Sequence, residues 1–533
     1  MTAATVRAPK RDRAAHGLLP SPARLLRLEL RRSPMLWLLP VLAVLFWLTT
    51  YRAAMGNPPL WNVRAAMLQA NTMLGFAPPL AGVAAWAGSR EGRRGIADQL
   101  DATGLPRWAG RLAAWAAVTV WAEAAYLAGV AVVYGITARQ ATWGGPLWWP
   151  VAVGAATAAA ACAVGFAAGA LLPSRFTAPL AATIVFLALG AGAFLLQRGA
   201  RATYSQIWPL NVQGPFPKDS FGIFYRFLPD LSIAQIMFVG GLGVAALGVL
   251  GLPAVSGGRM LRATAAAVTI AGLAGAGTAV GLAGTARLAA SGIVIPALHD
   301  AASDRPAHYT PVCSSTGVQV CLQPAYRPYL PQVTAALAPL LNELAGLPGA
   351  PTRVTQVEAT RVQEGPSNGM DFGPVVISGA VLYLPLSGNS LPGEGITSAD
   401  FISTLRENLL PLTNSFVDLP LIDQSRSGGI SPSAGKGAAA QFVVAQALAL
   451  DASLIQAGPS SGPGGSRCQL GPAAAGCTPP AAGTGAGAVQ SSAQAQAAAT
   501  RRFLALSAAS RHAWLLTHLS ALRAGHISLS EIP

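Results

Sequence analysis

The chain has 533 residues, of which 52% are hydrophobic and only 11% charged, against roughly a quarter charged in an ordinary soluble domain. That composition argues against a cytosolic globular protein, and it excludes low-hydrophobicity disorder despite 58 Gly and 41 Pro. The net charge of +15 is not spread evenly: residues 1–286 hold 23 Lys/Arg against 8 Asp/Glu, and residues 287–533 hold 13 against 13. The basic excess therefore lies in the apolar half, as basic flanks do around membrane spans, and nucleic-acid binding has little support.

Residues 1–21 read as a disordered basic tail. In 22–33, Arg24, Arg27 and Arg31 recur at helical spacing with Leu25, Leu26, Leu28 and Leu30 between them. The pattern fits an amphipathic interfacial helix, and it fits a plain positive-inside anchor equally well. Seven stretches then approach the roughly 20 apolar residues that cross a bilayer: 34–51, 66–87, 112–136, 148–172, 177–196, 231–252 and 263–286. Gln69, Asn71 and the Pro78-Pro79 pair interrupt the second. Many Ala and Gly residues in the third to seventh permit close helix packing.

With the N-terminus inside, the inner segments 1–33, 88–111, 173–176 and 257–262 carry 16 Lys/Arg, and the outer loops 52–65, 137–147 and 197–230 carry seven. The positive-inside rule thus predicts a cytoplasmic N-terminus, and seven spans place 287–533 outside the cell membrane. A cleaved signal peptide is not expected, since the first apolar stretch begins near residue 34. Cys162 falls inside the fourth span as a packing residue. Cys313/Cys321 and Cys468/Cys477 form close pairs in the outer region. Their C-x7-C and C-x8-C spacings lack the tight pattern of zinc sites, so two disulfides are expected.

Loop 88–111 is the most densely charged stretch of the membrane half. Arg90, Glu91, Arg93, Arg94, Asp98, Gln99 and Asp101 lie in or beside a helix predicted over 91–102, closed by Gly104 and Pro106. It reads either as a solvated loop or as a docking surface for a partner. Glu123 is the only acidic residue inside a predicted span. A buried charge there costs several kcal/mol unless paired, so it is either a proton or substrate group or, the reading preferred here, a hydrogen-bonding group to a neighbouring helix.

The order of basic interfacial helix, first span, second span ending Trp86-Ala-Gly-Ser-Arg90-Glu91, charged helix and Gly104-Leu-Pro-Arg107 resembles the permease subunits of bacterial ATP-binding-cassette exporters. It covers roughly residues 22–286. The resemblance implies that the charged loop is a coupling helix seated on a separate ATPase subunit. It also implies a six-span core, two permease copies around the path, and ATP and Mg bound by the partner ATPase with no cofactor on this chain. A seventh span departs from the six-span plan.

In 287–533, the pattern predicts helices over Tyr329–Leu347, Asp400–Leu410, Ala438–Gln456 and 498–524, and strands over Arg353–Gln363 and Pro374–Leu386. Ala438–Gln456 is apolar enough to suggest an eighth span, but Gln441, Gln446 and Asp451 interrupt it, and a span here would place Cys468 and Cys477 inside the cell, so it reads as a domain-core helix. Residues 457–497 read as a flexible Gly/Ala/Pro/Ser-rich segment. Cys313-Ser-Ser-Thr-Gly-Val-Gln-Val-Cys321-Leu-Gln-Pro-Ala-Tyr326 and Gly346-Leu-Pro-Gly-Ala-Pro351 resemble segments of peptidase-like ectodomains, distantly similar to zinc aminopeptidases. None of the six His residues begins H-E-x-x-H, and G-x-S-x-G and the Walker pattern are absent. No metal site or enzymatic activity is expected on the chain.

The sequence thus predicts an α-helical polytopic membrane domain of about seven transmembrane helices (34–286) followed by an extracytoplasmic α+β domain (287–533). The expected function is the permease subunit of an ATP-driven exporter in the plasma membrane. A membrane-anchored peptidase-like or binding ectodomain is the alternative.

Overall fold

The computed structural model describes residues 22–94, 107–197, 223–253, 259–289, 291–315, 317–357, 375–386, 391–393, 396–419, 437–454 and 486–533. Helix α1 (Pro22–Arg32) forms where the Arg/Leu spacing places it. It leaves Arg24, Arg27 and Arg31 exposed, and the Trp121 indole N–H reaches the Leu30 carbonyl at 3.0 Å. The Ser33 hydroxyl then accepts from the Met35 amide at 3.3 Å and caps the next helix.

That helix, α2, runs Pro34–Met55 with a π-helical segment at Trp47–Tyr51. The second predicted span forms in two pieces, α3 (Trp61–Asn71) and α4 (Ala77–Gly88), joined by a π segment at Thr72–Phe76. Pro78 has no amide N–H to continue the ladder, and just before it the Ala77 amide bonds back to the Thr72 carbonyl, five residues away. After the short α5 (Arg90–Arg94) come α6 (Arg107–Gln140), α7 (Trp148–Leu171), α8 (Thr177–Gln197), α9 (Asp230–Val249) and α10 (Arg259–Gly284).

Among the described residues, five helices are long and apolar enough to cross a membrane: α2, α6, α7, α9 and α10. The other two expected spans are helical but do not meet that measure. Helix α3 carries Asn62, Arg64, Gln69 and Asn71 within eleven residues, and only Thr177–Gly190 of α8 counts as a shorter apolar helix.

Small residues set the closest packing. A Cβ on Gly165 would lie 2.1 Å from the Ala81 carbonyl oxygen, and one on Gly169 would lie 1.9 Å from that of Ala85. The backbones of α4 and α7 therefore touch along a Gly-x-x-x-Gly face, where van der Waals contact takes the place of a hydrophobic drive. Larger rings fill the bundle centre, with Phe46 edge-on to Phe76 at 5.6 Å and to Tyr126 at 6.3 Å.

Beyond α10, a hairpin of β1 (Arg287–Ala289) and β2 (Gly292–Val294) leads into the C-terminal domain. Its mixed sheet has the order β3-β4-β5-β7-β6, from β3 (Val312–Cys313), β4 (Gln319–Leu322), β5 (Arg353–Val357), β6 (Val376–Ser378) and β7 (Val381–Pro385). Strands β4, β5 and β7 run parallel, and the two edges pair antiparallel. Between β4 and β5 the chain crosses over through α11 (Leu330–Leu344). Helices α12 (Ser398–Phe416), α13 (Ala438–Asp451), α14 (Ala486–Ala505) and α15 (Ala508–Arg523) complete the domain.

Helix α13 lies in the domain core with Val443, Val444 and Leu448 buried, as a domain-core helix would. A disulfide joins Cys313 to Cys321 across the β3–β4 pair. Cys468 and Cys477 lie outside the described residues, as does tail 1–21.

Three sequence expectations change. The strand expected over Pro374–Leu386 is a hairpin that turns at Gly379, whose φ of +60° suits glycine. Helix α14 starts at Ala486, inside the segment expected to be flexible to 497, because Ala and Gln favour helix wherever packing supports it. The single helix expected over 498–524 breaks at Ser507, whose hydroxyl caps α15 by accepting from the Ser510 amide at 3.2 Å. Arg511, ion-paired to Asp451, donates to the Leu504 and Leu506 carbonyls at 3.1 and 2.6 Å and closes α14.

The α4–α7 contact generates a direct test. Gly169→Ala is expected to destabilise the detergent-solubilised chain by about 1–3 kcal/mol, the cost of overpacking a close interface. Gly275→Ala, where a Cβ meets nothing within 4 Å, is expected to leave the thermal midpoint unchanged or slightly raised.

Candidate functional site

Three polar regions lie along the column formed by α3 and α4. The first is at the end of α4. Ser89 Oγ donates to the Trp86 carbonyl at 3.0 Å, and the chain turns into α5. Arg90 reaches Glu29 of α1 at 3.4 Å, and Arg111 of α6 reaches Glu91 at 3.5 Å while also donating to the Leu250 carbonyl. Arg93 donates to the Trp86 carbonyl at 3.1 Å and lies 5.7 Å from that ring's centroid.

Arg90 and Glu91 are therefore paired with neighbouring helices, while Arg93 stays exposed on α5. Arg94 completes α5, and Asp98, Gln99 and Asp101 lie outside the described residues. The partners Glu29 and Arg111 were missed as site residues. Glu29, the lone acid of the interfacial helix, was the available signal.

The second region is the bundle interior. Gln69 Nε2 of α3 donates to Gln235 Oε1 of α9 at 3.2 Å. Around that bond, Gln69 Oε1, Gln235 Nε2 and Ser232 Oγ are buried without a hydrogen-bond partner among the described residues. Glu123 on α6 faces the interior too. The hydrogen bond to a neighbouring helix expected of it is not made by Oε1, which is buried and without a partner among the described residues. An unpaired buried polar group costs about 1–3 kcal/mol. Beside it, the π segments of α2 and α3 touch, where a Cβ on Gly75 would lie 2.6 Å from Thr49 Cβ. Such segments recur at functional sites.

The third region is the junction with the C-terminal domain. Leu60, just before α3, and Val63 and Ala66 within it belong to the same buried cluster as Val333, Leu337 and Leu340 of α11. On α3, Arg64, only 4% exposed, donates to Thr137 Oγ1 at 3.2 Å and to the Asn57 carbonyl at 3.4 Å. No carboxylate pairs with it among the described residues. Burial pushes the Tyr329 phenol up to about 12, with the Arg64 charge opposing the shift. Thr142 Oγ1 donates to the Pro324 carbonyl at 2.7 Å, and the Ile295 amide to Asp230 Oδ2 at 2.9 Å, which fasten the junction at two further points.

Among the described residues no group of three or more His, Cys, Asp or Glu side chains could hold a metal ion. Of the His residues, His299 pairs with Asp304 at 2.7 Å and His518 stacks on Trp514. Compared with known proteins, the chain matches no family model, no curated protein and no solved structure.

The interior seam yields a test of cost against use. Replacing Gln69 and Gln235 together by Leu removes two buried amides and their unpaired atoms. The solubilised double variant is expected to gain about 1–3 kcal/mol in thermal unfolding. A loss of similar size would mean that the seam is structural.

Proposed function

We propose that the chain is the permease subunit of an ATP-driven exporter, built on seven spans that include the broken α3–α4 helix and α8. The observation that carries this reading is the arrangement at the end of α4. There a five-residue helix is bound by one ion pair to α1 and by another to α6. A push on loop 88–107 would be passed at once to the interfacial helix, to α6 and up the α4 column.

The buried seam of Gln69, Gln235 and Glu123 supports the reading further, because polar groups at membrane depth are costly and mark pathways. On this reading the N-terminus is cytoplasmic, the C-terminal domain is extracytoplasmic, and a separate ATPase subunit binds ATP and Mg below loop 88–107. A second permease copy completes the path. The apolar groove between α2, α4 and α8, lined by Trp37, Val83 and Pro179, is the face open to it.

The test uses the ion pair rather than the whole charged face. An ATPase subunit is expected to co-purify with the wild-type chain. Glu91→Arg sets two cations against each other and is expected to cut transport-coupled ATP hydrolysis by about tenfold. The exchange Glu91→Arg with Arg111→Glu is expected to restore most of it, as a double-mutant cycle requires for residues that act through each other. Full coupling in Glu91→Arg would remove the lever. Failure of any ATPase to bind the wild-type chain would favour the anchored ectodomain.

A further inference from the structure

At the junction end, opposite Glu29 and Arg90, a cavity of about 370 Å³ opens between the start of α3, the α6–α7 turn, segment 223–227 and the C-terminal domain. Trp61, Trp143, Tyr225 and Phe227 line it, with Arg226 and His308 at its exposed edge. Among the described residues no carboxylate lines it. Asn62 does, and although that residue is only 7% exposed its Nδ2 has no hydrogen-bond partner among them. Arg226 forms no ion pair among the described residues.

The cavity's level follows from its rings. Trp61 lies edge-on to Tyr134 at 5.3 Å, and Tyr134 lies 5.6 Å from Trp148, which is 63% exposed at the start of α7. Exposed Trp rings at the end of an apolar helix belong to the membrane–water interface, so the cavity sits where bilayer and water meet.

Its volume is that of a small-molecule site, and apolar walls with few polar groups are how such sites select ligands. A guanidinium, an imidazole and an amide donor, with no acid among the described lining residues, select a negatively charged head. Four aromatic rings select an apolar body. We infer that this junction cavity binds an amphiphilic organic anion, with its head at Arg226, His308 and Asn62 and its apolar part against Trp61, Trp143 and Phe227. The inference does not rest on the transport reading. Both an anionic lipid of the adjacent leaflet and a soluble aromatic acid have this chemistry.

The test is photolabelling of the full-length protein in phosphatidylcholine nanodiscs with a diazirine-bearing palmitic acid, mapped by peptide mass spectrometry. Label is expected on peptides containing 60–62, 143–147 and 223–227. Arg226→Ala with His308→Ala is expected to lower it about tenfold, the effect of losing one charge-assisted hydrogen bond, and Arg226→Lys to retain most of it. Competition by added phosphatidylglycerol identifies the lipid as the ligand, and competition by 2-naphthoate alone identifies a soluble acid. Equal labelling by the matching diazirine-bearing amine would overturn the inference. So would unchanged labelling in the double Ala variant, or no label on these peptides while the Cys313–Cys321 bridge stays intact.

Discussion

Helix α3 belongs to two cores at once, and the rest of the architecture follows from that constraint. Asn62, Arg64 and Gln69 make it unfit to face lipid, where each unpaired polar group costs several kcal/mol. The bundle covers one side through the Gln69–Gln235 bond and the Thr137 contact to Arg64. The C-terminal domain covers the other, with Tyr329 beside Arg64, so that Leu60, Val63 and Ala66 sit in a core made mostly of residues beyond 320. The domain is thus a roof over a helix that could not otherwise stay buried, and the cavity of Trp61 and Trp143 lies under its edge.

The same helix continues through a π segment into α4, whose far end carries the Arg90 and Glu91 ion pairs. One column therefore connects the loop at one end of the bundle with Arg64 at the other. Where it is irregular, at Thr72–Phe76, it packs on the π segment of α2. Close backbone contact with α7 at Gly165 and Gly169 holds the lower column, and Gly75 against Thr49 holds its π-helical level. In the proposed exporter, ATP-driven movement at loop 88–107 would be converted to movement of the seam and junction by this column. The ion pairs are partly buried, and pairs near a surface are worth about 0–1 kcal/mol each.

Much of the fold could be read from the residues alone. The Arg24/Arg27/Arg31 spacing located α1, long Ala- and Gly-rich stretches located α6, α7, α9 and α10, and the outer placement of Cys468 and Cys477, with the polar Gln441, Gln446 and Asp451, placed α13 in the domain core. The interruptions at Gln69, Asn71 and Pro78 weakened the second span without showing that it forms in two pieces, because nothing local says that a distant domain buries Arg64. The Pro374–Leu386 hairpin was hidden because Gly379 sits in an otherwise continuous strand pattern. Charge density singled out 88–94, but pattern alone does not reveal that Arg90 and Glu91 pair at long range with Glu29 and Arg111. The junction cavity draws on five separate segments, so no single stretch of sequence announces it.

The shared core is the claim on which both the column and the cavity stand, and hydrogen exchange tests it directly. Leu60→Ala removes a side chain supplied by the membrane half, at a typical cost of about 2–5 kcal/mol for a buried Leu. If α3 and the C-terminal domain form one cooperative unit, amide exchange in Leu330–Leu344 and Ala438–Asp451 of the intact chain should accelerate by more than about tenfold. Unchanged protection in those two helices, with acceleration confined to residues near 60, would contradict the account.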